Sequence, residues 1–417
     1  IMAQTKVKEG LIDAVLGGGL TLISTPKTAG FTAVAGESYL VDTSSSAITV
    51  ALPGSPSVGD EIGILDYSSS AATNNITIDP GTLNFRGATN DFAISANNES
   101  IRLIYSGATK GWLLKSGTGA AVVTLTVDYL VVAGGGSGAT QHGGGGGAGG
   151  LRTSYTNSSS LNGHSETALS LSASTNYTIL IGGGAAGVTG AGLNLAGNNG
   201  SDSKFGIIGS EIISTGGGGG SAYAGSTVPG SGGSGGGGGN QSSQTQAGGA
   251  AVTSPSQGYA GGTGHNNTQN YPSGGGGGAG GVGGNGTATY GGNGGDGLEV
   301  NIIGTTGNYY AGGGGSGTYI GGTPGTGGSS IGGAGKNNSS NGNPGVNYTG
   351  SGGGGTSGSG YTTGAGGGGV IILRYSDTYT IAETTSSQLN FTTDSTTVAN
   401  IKITTFTAGT GTIEFTN

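Results

Sequence analysis

The sequence predicts an all-β protein organised around a glycine-rich module, and three observations support this fold class. Patterns typical of helices are nearly absent from the 417 residues, whereas short apolar or alternating runs recur along the chain. Between Gly134 and Gly369 lie 86 of the 103 glycines, gathered in tracts. Strand-like segments adjoin those tracts. We therefore predict a small N-terminal β-sandwich or barrel, a module of β scaffold plus polyglycine-II-type helices, and a short C-terminal β segment.

The first two parts of the chain are an attachment segment and a β domain. Residues 1–20 are only weakly amphipathic and are interpreted as the attachment segment. Residues 21–118 have the composition of a small β domain, in which runs such as 48–52 and 101–105 are separated by turn residues. The only tryptophan, Trp112, is expected to fill the core of this domain rather than to serve as a ligand platform.

Residues 119–375 make up the glycine-rich module, for which two physical outcomes are open. Ordering a residue costs roughly 1–2 kcal/mol, and glycine has no side chain that could offset this cost by apolar burial. The tracts are therefore either a flexible linker or a bundle of extended, polyproline-II-type helices whose backbones hydrogen-bond to one another. Collagen is excluded, because glycine does not recur at every third position. A linker needs no strands at its ends, so the apolar segment 370–375 favours the ordered bundle.

The C-terminal β segment comprises residues 376–417. Its apolar residues are spaced by two: Leu389 and Phe391, Ile401 and Ile403, Ile413 and Phe415. The segment is too short to bury a core of its own. We therefore expect it to pair with the preceding module or with a partner chain.

The composition excludes several classes of function. The formal net charge is −8, so the chain has no overall basic footprint for nucleic acid. It contains no cysteine and hence no disulfide framework, thiolate metal site or cysteine nucleophile. No apolar run approaches the roughly 18–20 residues that span a bilayer, so we expect no membrane insertion.

Motifs that resemble catalytic or cofactor sites are interpreted as chance matches. The Gly-x-Gly-x-x-Gly pattern is unavoidable among so many glycines, and the serine-elbow pattern around Ser234 lacks the strand-to-helix setting of such a nucleophile. Three histidines have no partner at metal-ligand spacing: His142, His164 and His265. Four carboxylates are candidates for glycoside cleavage, but the sequence brings no two of them together: Asp202, Glu211, Asp296 and Glu299. We predict no enzyme, no cofactor, no metal site and no catalytic residue.

Nine tyrosines between the tracts are the candidate receptor-binding residues: Tyr223, Tyr259, Tyr271, Tyr290, Tyr309, Tyr310, Tyr319, Tyr348 and Tyr361. Their neighbours are mostly Asn, Ser, Thr and Gly. This is also the composition of antibody paratopes, because tyrosine offers a large contact area with little loss of rotamer entropy. In the alternative interpretation, the rings cap the glycine helices and shield their ends from water. Both interpretations stay open for each tyrosine.

Three stretches of sequence carry a resemblance to a known family. Residues 2–12 look like the opening of tail-fibre proteins of tailed bacteriophages. The second stretch is similar to a β module common in phage fibre and tail proteins, and it comprises residues 39–53, 58–60 and 111–114. The third resembles the glycine-rich domain of phage tail fibres in its leading strand, its first tracts and its exit strand, at 129–136, 143–150 and 369–375.

The resemblance implies a structural virion protein of the tail fibre that acts outside the cell and binds a host surface protein or glycan, typically as a homotrimer. Its N-terminal region would attach to other virion tail proteins. In a related phage adhesin, polyglycine helices stack in a layered bundle and the distal loops bind the receptor. This chain departs from that adhesin in its irregular tracts and in the β segments on both sides.

Other functions remain as alternatives to receptor binding. The first is a purely structural virion or extracellular filament subunit, in which the glycine-rich module is a spacer or a lattice contact. The second is a fibre depolymerase that cleaves host polysaccharide. A glycine-rich cell-wall protein or an ice-binding protein is a more distant alternative.

Overall fold

The computed structural model describes residues 20–117, 120–121, 124–156, 164–173, 175–190, 194–223, 227–240, 245–266, 269–319, 321–337, 339–358, 360–385 and 388–416. The chain divides into two compact units, residues 1–124 and 125–417. Within the described residues, the 3-10 turn at Gly328–Ser330 is the longest helical segment. The prediction of an all-β fold is therefore confirmed. The predicted attachment segment lies outside the described residues, apart from Leu20.

The described part of the first unit contains ten short strands: β1 (Thr21–Lys27), β2 (Phe31–Thr32), β3 (Glu37–Val41), β4 (Ile48–Ala51), β5 (Glu61–Asp66), β6 (Ile76–Asp79), β7 (Phe92–Ile94), β8 (Ser100–Tyr105), β9 (Trp112–Gly117) and β10 (Ala120–Ala121). They make two open sheets, in the orders β1-β3-β5-β8-β9 and β10-β7-β6-β4-β2. From β1 to β6 the chain alternates between the sheets, so that β1, β3 and β5 run parallel, as do β2, β4 and β6.

One apolar core holds these two sheets together. It contains alternate residues of the strands, for example Ile48 and Val50 of β4 and Ile76 of β6, each at most 3% exposed. Because both sheets are open, the unit is a sandwich and not a barrel. Trp112 is fully buried in this core, with its ring 5.5 Å from that of Tyr105, as predicted.

Among the residues of the second unit that the structure describes, thirteen strands form the scaffold: β11 (Thr124–Val132), β12 (Leu151–Thr153), β13 (Leu169–Ser172), β14 (Tyr177–Leu180), β15 (Ser203–Gly206), β16 (Ile212–Ser214), β17 (Leu298–Glu299), β18 (Tyr309–Tyr310), β19 (Val370–Ser376), β20 (Thr380–Glu383), β21 (Asn390–Asp394), β22 (Ile401–Ala408) and β23 (Thr410–Thr416). One sheet has the order β12-β11-β19-β22-β21, with β13 also on β11, and a second has the order β16-β15-β14-β23-β20. The C-terminal strands β22 and β23 pair with β19 and β14, so residues 376–417 complete both sheets within the same chain.

The glycine tracts between the strands are extended helices that bond to one another through their backbones. In the tract 133–140, amides three residues apart donate to one antiparallel neighbour: Ala133 to Gly150, Gly136 to Gly147, and Ala139 to Gly144. The two intervening series of amides donate to two further neighbours, 195–201 and 364–367. This threefold period is that of a polyproline-II-type helix. The module is the predicted ordered bundle and not a linker.

The returning tract, residues 143–150, lies at the centre of the bundle and is buried throughout. Its amides donate to three neighbouring tracts: 215–221, 274–277 and 350–356. Its carbonyl groups accept from three others: 133–139, 234–237 and 314–317. Because all eight of its amides and most of its carbonyl groups find backbone partners, this tract is buried at little cost in unpaired polar groups.

The tracts require glycine because the backbones of neighbouring tracts approach each other too closely for a side chain. A Cβ at Gly146 would lie 2.2 Å from the carbonyl oxygen of Gly136, and a Cβ at Gly353 would lie 2.0 Å from that of Gly364. None of these four glycines adopts a positive φ. The missing side chain, rather than the backbone freedom of glycine, therefore allows the helices to bond directly.

Asparagine side chains supply carbonyl groups where a tract has no backbone partner on its outer side. Three Asn Oδ1 atoms accept a backbone N–H at 2.8–2.9 Å: Asn199 from Gly219, Asn293 from Thr326, and Asn347 from Gly368. The outermost tracts at the sides of the bundle therefore do not leave these amides unpaired. Asparagine in the loops has a structural role that composition alone does not reveal.

The bundle has two ends. The base is the end at the scaffold, where the tract 133–140 leaves β11 and the tract 143–150 enters β12. The tip is the opposite end, where the chain turns at 140–143. Other turns lie level with this one, as their hydrogen bonds to it and to each other establish: the described parts of 222–223, 265–273, 287–290, 316–323 and 356–362.

Candidate functional site

At the tip, the structure brings together three of the nine predicted tyrosines around one histidine. We call this group the His142 cluster, and it consists of His142, Tyr223, Tyr271 and Tyr319. The imidazole of His142 stacks on the ring of Tyr271, with centroids 4.5 Å apart and an interplanar angle of 15°. Tyr223 and Tyr319 meet the imidazole edge-on, at 5.6 Å and 5.3 Å. Both also stand edge-on to Tyr271, at 5.4 Å and 5.9 Å.

Backbone hydrogen bonds of the tip position the four rings. Gln141 and His142 form the turn between two paired tracts, and both have left-handed φ angles, 49° and 58°. The amide of Tyr223 donates to the carbonyl of Gln141 at 3.1 Å. The hydroxyl of Ser273 donates to the carbonyl of His142, and the amide of Tyr319 donates to the carbonyl of Asn270 at 2.7 Å. The rings are therefore attached to a rigid backbone frame rather than to free loops.

The electrostatics of the cluster keep its histidine neutral. Burial lowers the pKa of His142 to about 4, so the imidazole carries no charge at neutral pH. Its Nδ1 is hydrogen-bonded to the hydroxyl of Ser357 at 2.5 Å, and Ser357 is only 2% exposed. A serine hydroxyl beside an imidazole is the contact of a nucleophile and its base. Here the hydroxyl is covered, so the contact fixes the orientation of the imidazole ring.

Two more of the predicted tyrosines lie at the tip but outside the cluster. Tyr290 is 60% exposed, and its turn pairs with Thr323. Tyr361 is half-buried and precedes Thr362, whose amide donates to Asn341 at 2.9 Å. Among the described residues, neither ring stacks on another of the nine tyrosines. Tyr319, at 38% exposed, is the most accessible ring of the cluster itself.

The remaining four tyrosines lie at the base. Tyr259 faces the buried His164, with ring centroids 6.4 Å apart, whereas Tyr309 and Tyr348 are 40% and 47% exposed. Tyr310 is 7% exposed and packs in the apolar core of the second unit, because β17 and β18 turn its ring inward. The ring of Tyr310 is thus covered within this chain, unlike those of Tyr309 and Tyr348.

The charged groups of the second unit lie mainly at the base. Arg152 forms two contacts with Glu166, at 2.7 Å and 2.5 Å, and the hydroxyl of Tyr129 donates to the same carboxylate at 2.9 Å. Burial of the ring, and then this carboxylate, raise the pKa of Tyr129. By contrast, the sequence has no Asp, Glu, Lys or Arg from 215 to 295, and only Lys336 from 300 to 369. The tip is thus almost free of charge.

The four carboxylates considered for glycoside cleavage accept backbone amides instead of facing one another. Asp202 accepts from Gly216 at 2.8 Å and Glu211 from Gly209 at 3.0 Å. Asp296 accepts from Ser329 at 3.3 Å and Glu299 from Gly307 at 2.7 Å. In the part of the chain that the structure describes, no three His, Asp or Glu side chains come close enough to hold a metal ion.

Sequence reasoning missed the role of His142. The spacing of the histidines assigns no role to His142, because no second ligand stands at metal-ligand spacing. A signal was present: Gln141 and His142 are the only large side chains between the glycine tracts 134–138 and 143–147. The partners of His142, however, come from turns up to 215 residues away, and no local pattern identifies them.

Fold and site together define an all-β protein whose second unit is a polyglycine-helix bundle with an aromatic tip. A comparison with protein families matches residues 115–376 to the glycine-rich domain. This match covers more than half of the chain, and the chain therefore belongs to the glycine-rich domain family. A comparison with curated proteins gives no match. Within the described residues, no helix has the length and apolar character needed to cross a bilayer.

Proposed function

We propose that the chain is a non-enzymatic tail-fibre protein of a tailed bacteriophage, which recognises a host surface protein or glycan through the tip of its glycine-rich bundle. The observation that carries the proposal is the His142 cluster: three tyrosines from separate turns meet at the end of the bundle that is opposite to its β scaffold. A rigid aromatic surface at the free end of a stiff body suits recognition, because its side chains lose little entropy on binding.

The assignment to a phage rests on the resemblance of the three stretches to tail-fibre proteins and is compatible with the glycine-rich domain family. In this proposal the protein is extracellular, as part of the virion, and forms a homotrimer. Residues 1–20 attach it to other tail proteins. The absence of catalytic activity is supported by the covered hydroxyl of Ser357 and by the carboxylates that are engaged with backbone amides.

Adsorption to candidate host cells tests the proposal. Two tyrosines of nearly equal exposure form a matched pair: Tyr319 at the tip, 38% exposed, and Tyr309 at the base, 40% exposed. The purified protein should adsorb saturably, Tyr319→Ala should weaken adsorption by about tenfold or more, and Tyr309→Ala should leave it unchanged. Deleting 221–231 or 259–273 should abolish adsorption, although these deletions also remove tracts of the bundle.

Other results would favour one of the alternatives. The hypothesis of receptor binding by the tip is wrong if the protein adsorbs to none of the cells that the bacteriophage infects. It is also wrong if the Tyr319→Ala variant adsorbs like the unchanged protein. Assembly of the protein into particles would then favour a purely structural subunit. Release of reducing ends from host polysaccharide would instead establish a depolymerase.

A further inference from the structure

We infer that the ligand of the tip is a neutral saccharide. This inference rests on the proposed function and narrows it, because a host protein is the other class of receptor considered above. It follows from two features of the tip: its lack of charge, and aromatic rings set among amide and hydroxyl groups.

The lack of charge decides against several ligand classes. Of Asp, Glu, Lys and Arg, only the half-buried Lys336 belongs to the tracts that form the tip turns from 215 to 295 and from 300 to 369. An acidic polysaccharide, a nucleic acid or an anionic membrane surface requires several cations. Interfaces between proteins are enriched in arginine, and charged groups at their rim steer association. An uncharged ligand needs none of these groups.

The rings and their neighbours provide what an uncharged sugar requires. A pyranose presents a face of C–H groups, which packs against the electron-rich face of an aromatic ring. Tyr319 and Tyr290 expose 38% and 60% of their surface at the tip. Hydroxyl groups of the sugar need donors and acceptors, and the exposed tip residues Asn266 and Thr289 supply an amide and a hydroxyl group.

The frame of the tip is fixed before any ligand arrives. Tyr319 is edge-on to both His142 and Tyr271, and its amide is bonded to Asn270 at 2.7 Å. A ring that contacts two neighbouring rings and extends from a hydrogen-bonded backbone presents its free surface in one orientation. Such preorganisation matters most for sugars, which offer few apolar contacts to offset the entropy lost on binding.

The test uses the full chain and a panel of oligosaccharides. Neutral oligomers of glucose, galactose, mannose and N-acetylglucosamine are compared with sialylated and uronate oligomers, by saturation-transfer NMR and by titration. We expect binding of at least one neutral oligosaccharide, with an affinity that stays constant from about 50 mM to about 500 mM salt. Tyr319→Ala should weaken it about tenfold or more, Tyr319→Phe should retain most of it, and Tyr309→Ala should not change it.

Cell adsorption separates a failure of this inference from a failure of the proposed function. If adsorption depends on Tyr319 and is lost after periodate oxidation of the cell surface, the saccharide is supported. If it depends on Tyr319 but is lost only after protease treatment, the saccharide is wrong and the receptor is a protein. Binding restricted to acidic oligosaccharides, or binding that falls steeply with salt, also overturns the inference. Adsorption independent of Tyr319 contradicts the proposed function itself.

Discussion

At the scale of single residues, glycine serves this fold by having no side chain. The tract glycines could be mistaken for flexible positions, yet Gly146 donates to Gly353 at 2.8 Å and accepts from Gly314 at 2.8 Å. A methyl group at such a position would collide with a backbone carbonyl that is itself fixed by hydrogen bonds. This constraint differs from the positive φ that explains glycine in ordinary turns.

Replacing Gly146 by alanine should therefore be severe. Its Cβ would lie 2.2 Å from the carbonyl oxygen of Gly136, so two helices of the bundle must separate. We expect the free energy of unfolding to fall by about 3 kcal/mol or more, measured by urea denaturation of the second unit. The matched control is Gly183→Ala, because a Cβ at Gly183 meets nothing within 4 Å. This variant should be neutral or more stable by about 0.4–1 kcal/mol. Equal losses for the two variants would contradict the close-packing argument.

The buried imidazole of the tip makes stability depend on pH. Its pKa in the folded protein is about 4, below the ordinary value near 6.5. Between these pH values the unfolded chain binds a proton that the folded chain does not. The contribution of the neutral imidazole to the free energy of unfolding is therefore complete above about pH 6.5, and it is lost as the pH falls towards 4. Urea midpoints measured from pH 7 to pH 4 should decline less steeply in His142→Phe than in the unchanged protein. Burial also lowers the pKa of His164. In the His142→Phe variant, the urea midpoint should therefore still fall with pH to the extent that His164 causes. An identical slope in the variant would refute the role of His142.

At the scale of elements, the strands were predictable and their partners were not. The spacing by two at Ile401 and Ile403 predicts a strand, because side chains of a strand alternate between two faces. The same spacing left two partners open for the C-terminal segment. The structure pairs β22 with β19 and β23 with β14. This choice depends on contacts between distant parts of the chain, which a local pattern cannot encode.

The C-terminal strands should be indispensable for the second unit. Phe406 and Phe415 are fully buried, and the ring of Phe415 packs against Tyr177 and Tyr375 at 6.0 Å and 5.2 Å. Burial of one such side chain contributes roughly 1.5–3 kcal/mol, and a domain has only about 5–15 kcal/mol in total. A chain ending at Ser376 should therefore lose the cooperative unfolding transition of its second unit, as followed by circular dichroism.

The truncated chain contains its own control. Trp112 is the only tryptophan and is buried in the core of the first unit. Its fluorescence should stay native when β20 to β23 are removed, because the core around it consists of residues of that unit. A native circular dichroism spectrum of the second unit after truncation would show that the second unit folds without β22 and β23. Loss of native tryptophan fluorescence would mean that the first unit cannot fold without the second.

At the scale of the whole molecule, the second unit has a hydrogen-bonded interior in place of a large apolar core. Physical reasoning predicted this interior, since ordered glycine tracts have nothing except their backbones to bond with. It did not predict the tip. Whether His142 meets Tyr271 and Tyr319 depends on the register of several tracts, and a repeating glycine sequence contains no register signal. The site is therefore a property of the assembled bundle.

If backbone bonds hold the bundle, its amides must resist exchange as those of a sheet do. The amides of residues 144–150 donate to carbonyls of neighbouring tracts at 2.7–3.1 Å. Opening one of them separates helices that share partners, so we expect exchange nearly as slow as that of the central strand β11, measured by hydrogen–deuterium exchange. The amide of Gly183 is a fast internal reference, because it is exposed and donates no backbone bond within the described residues. Exchange of 144–150 at the rate of Gly183 would mean that the tracts are a tether. The rings of the His142 cluster would then have no frame to hold them together, and the proposals for the tip would be wrong as well.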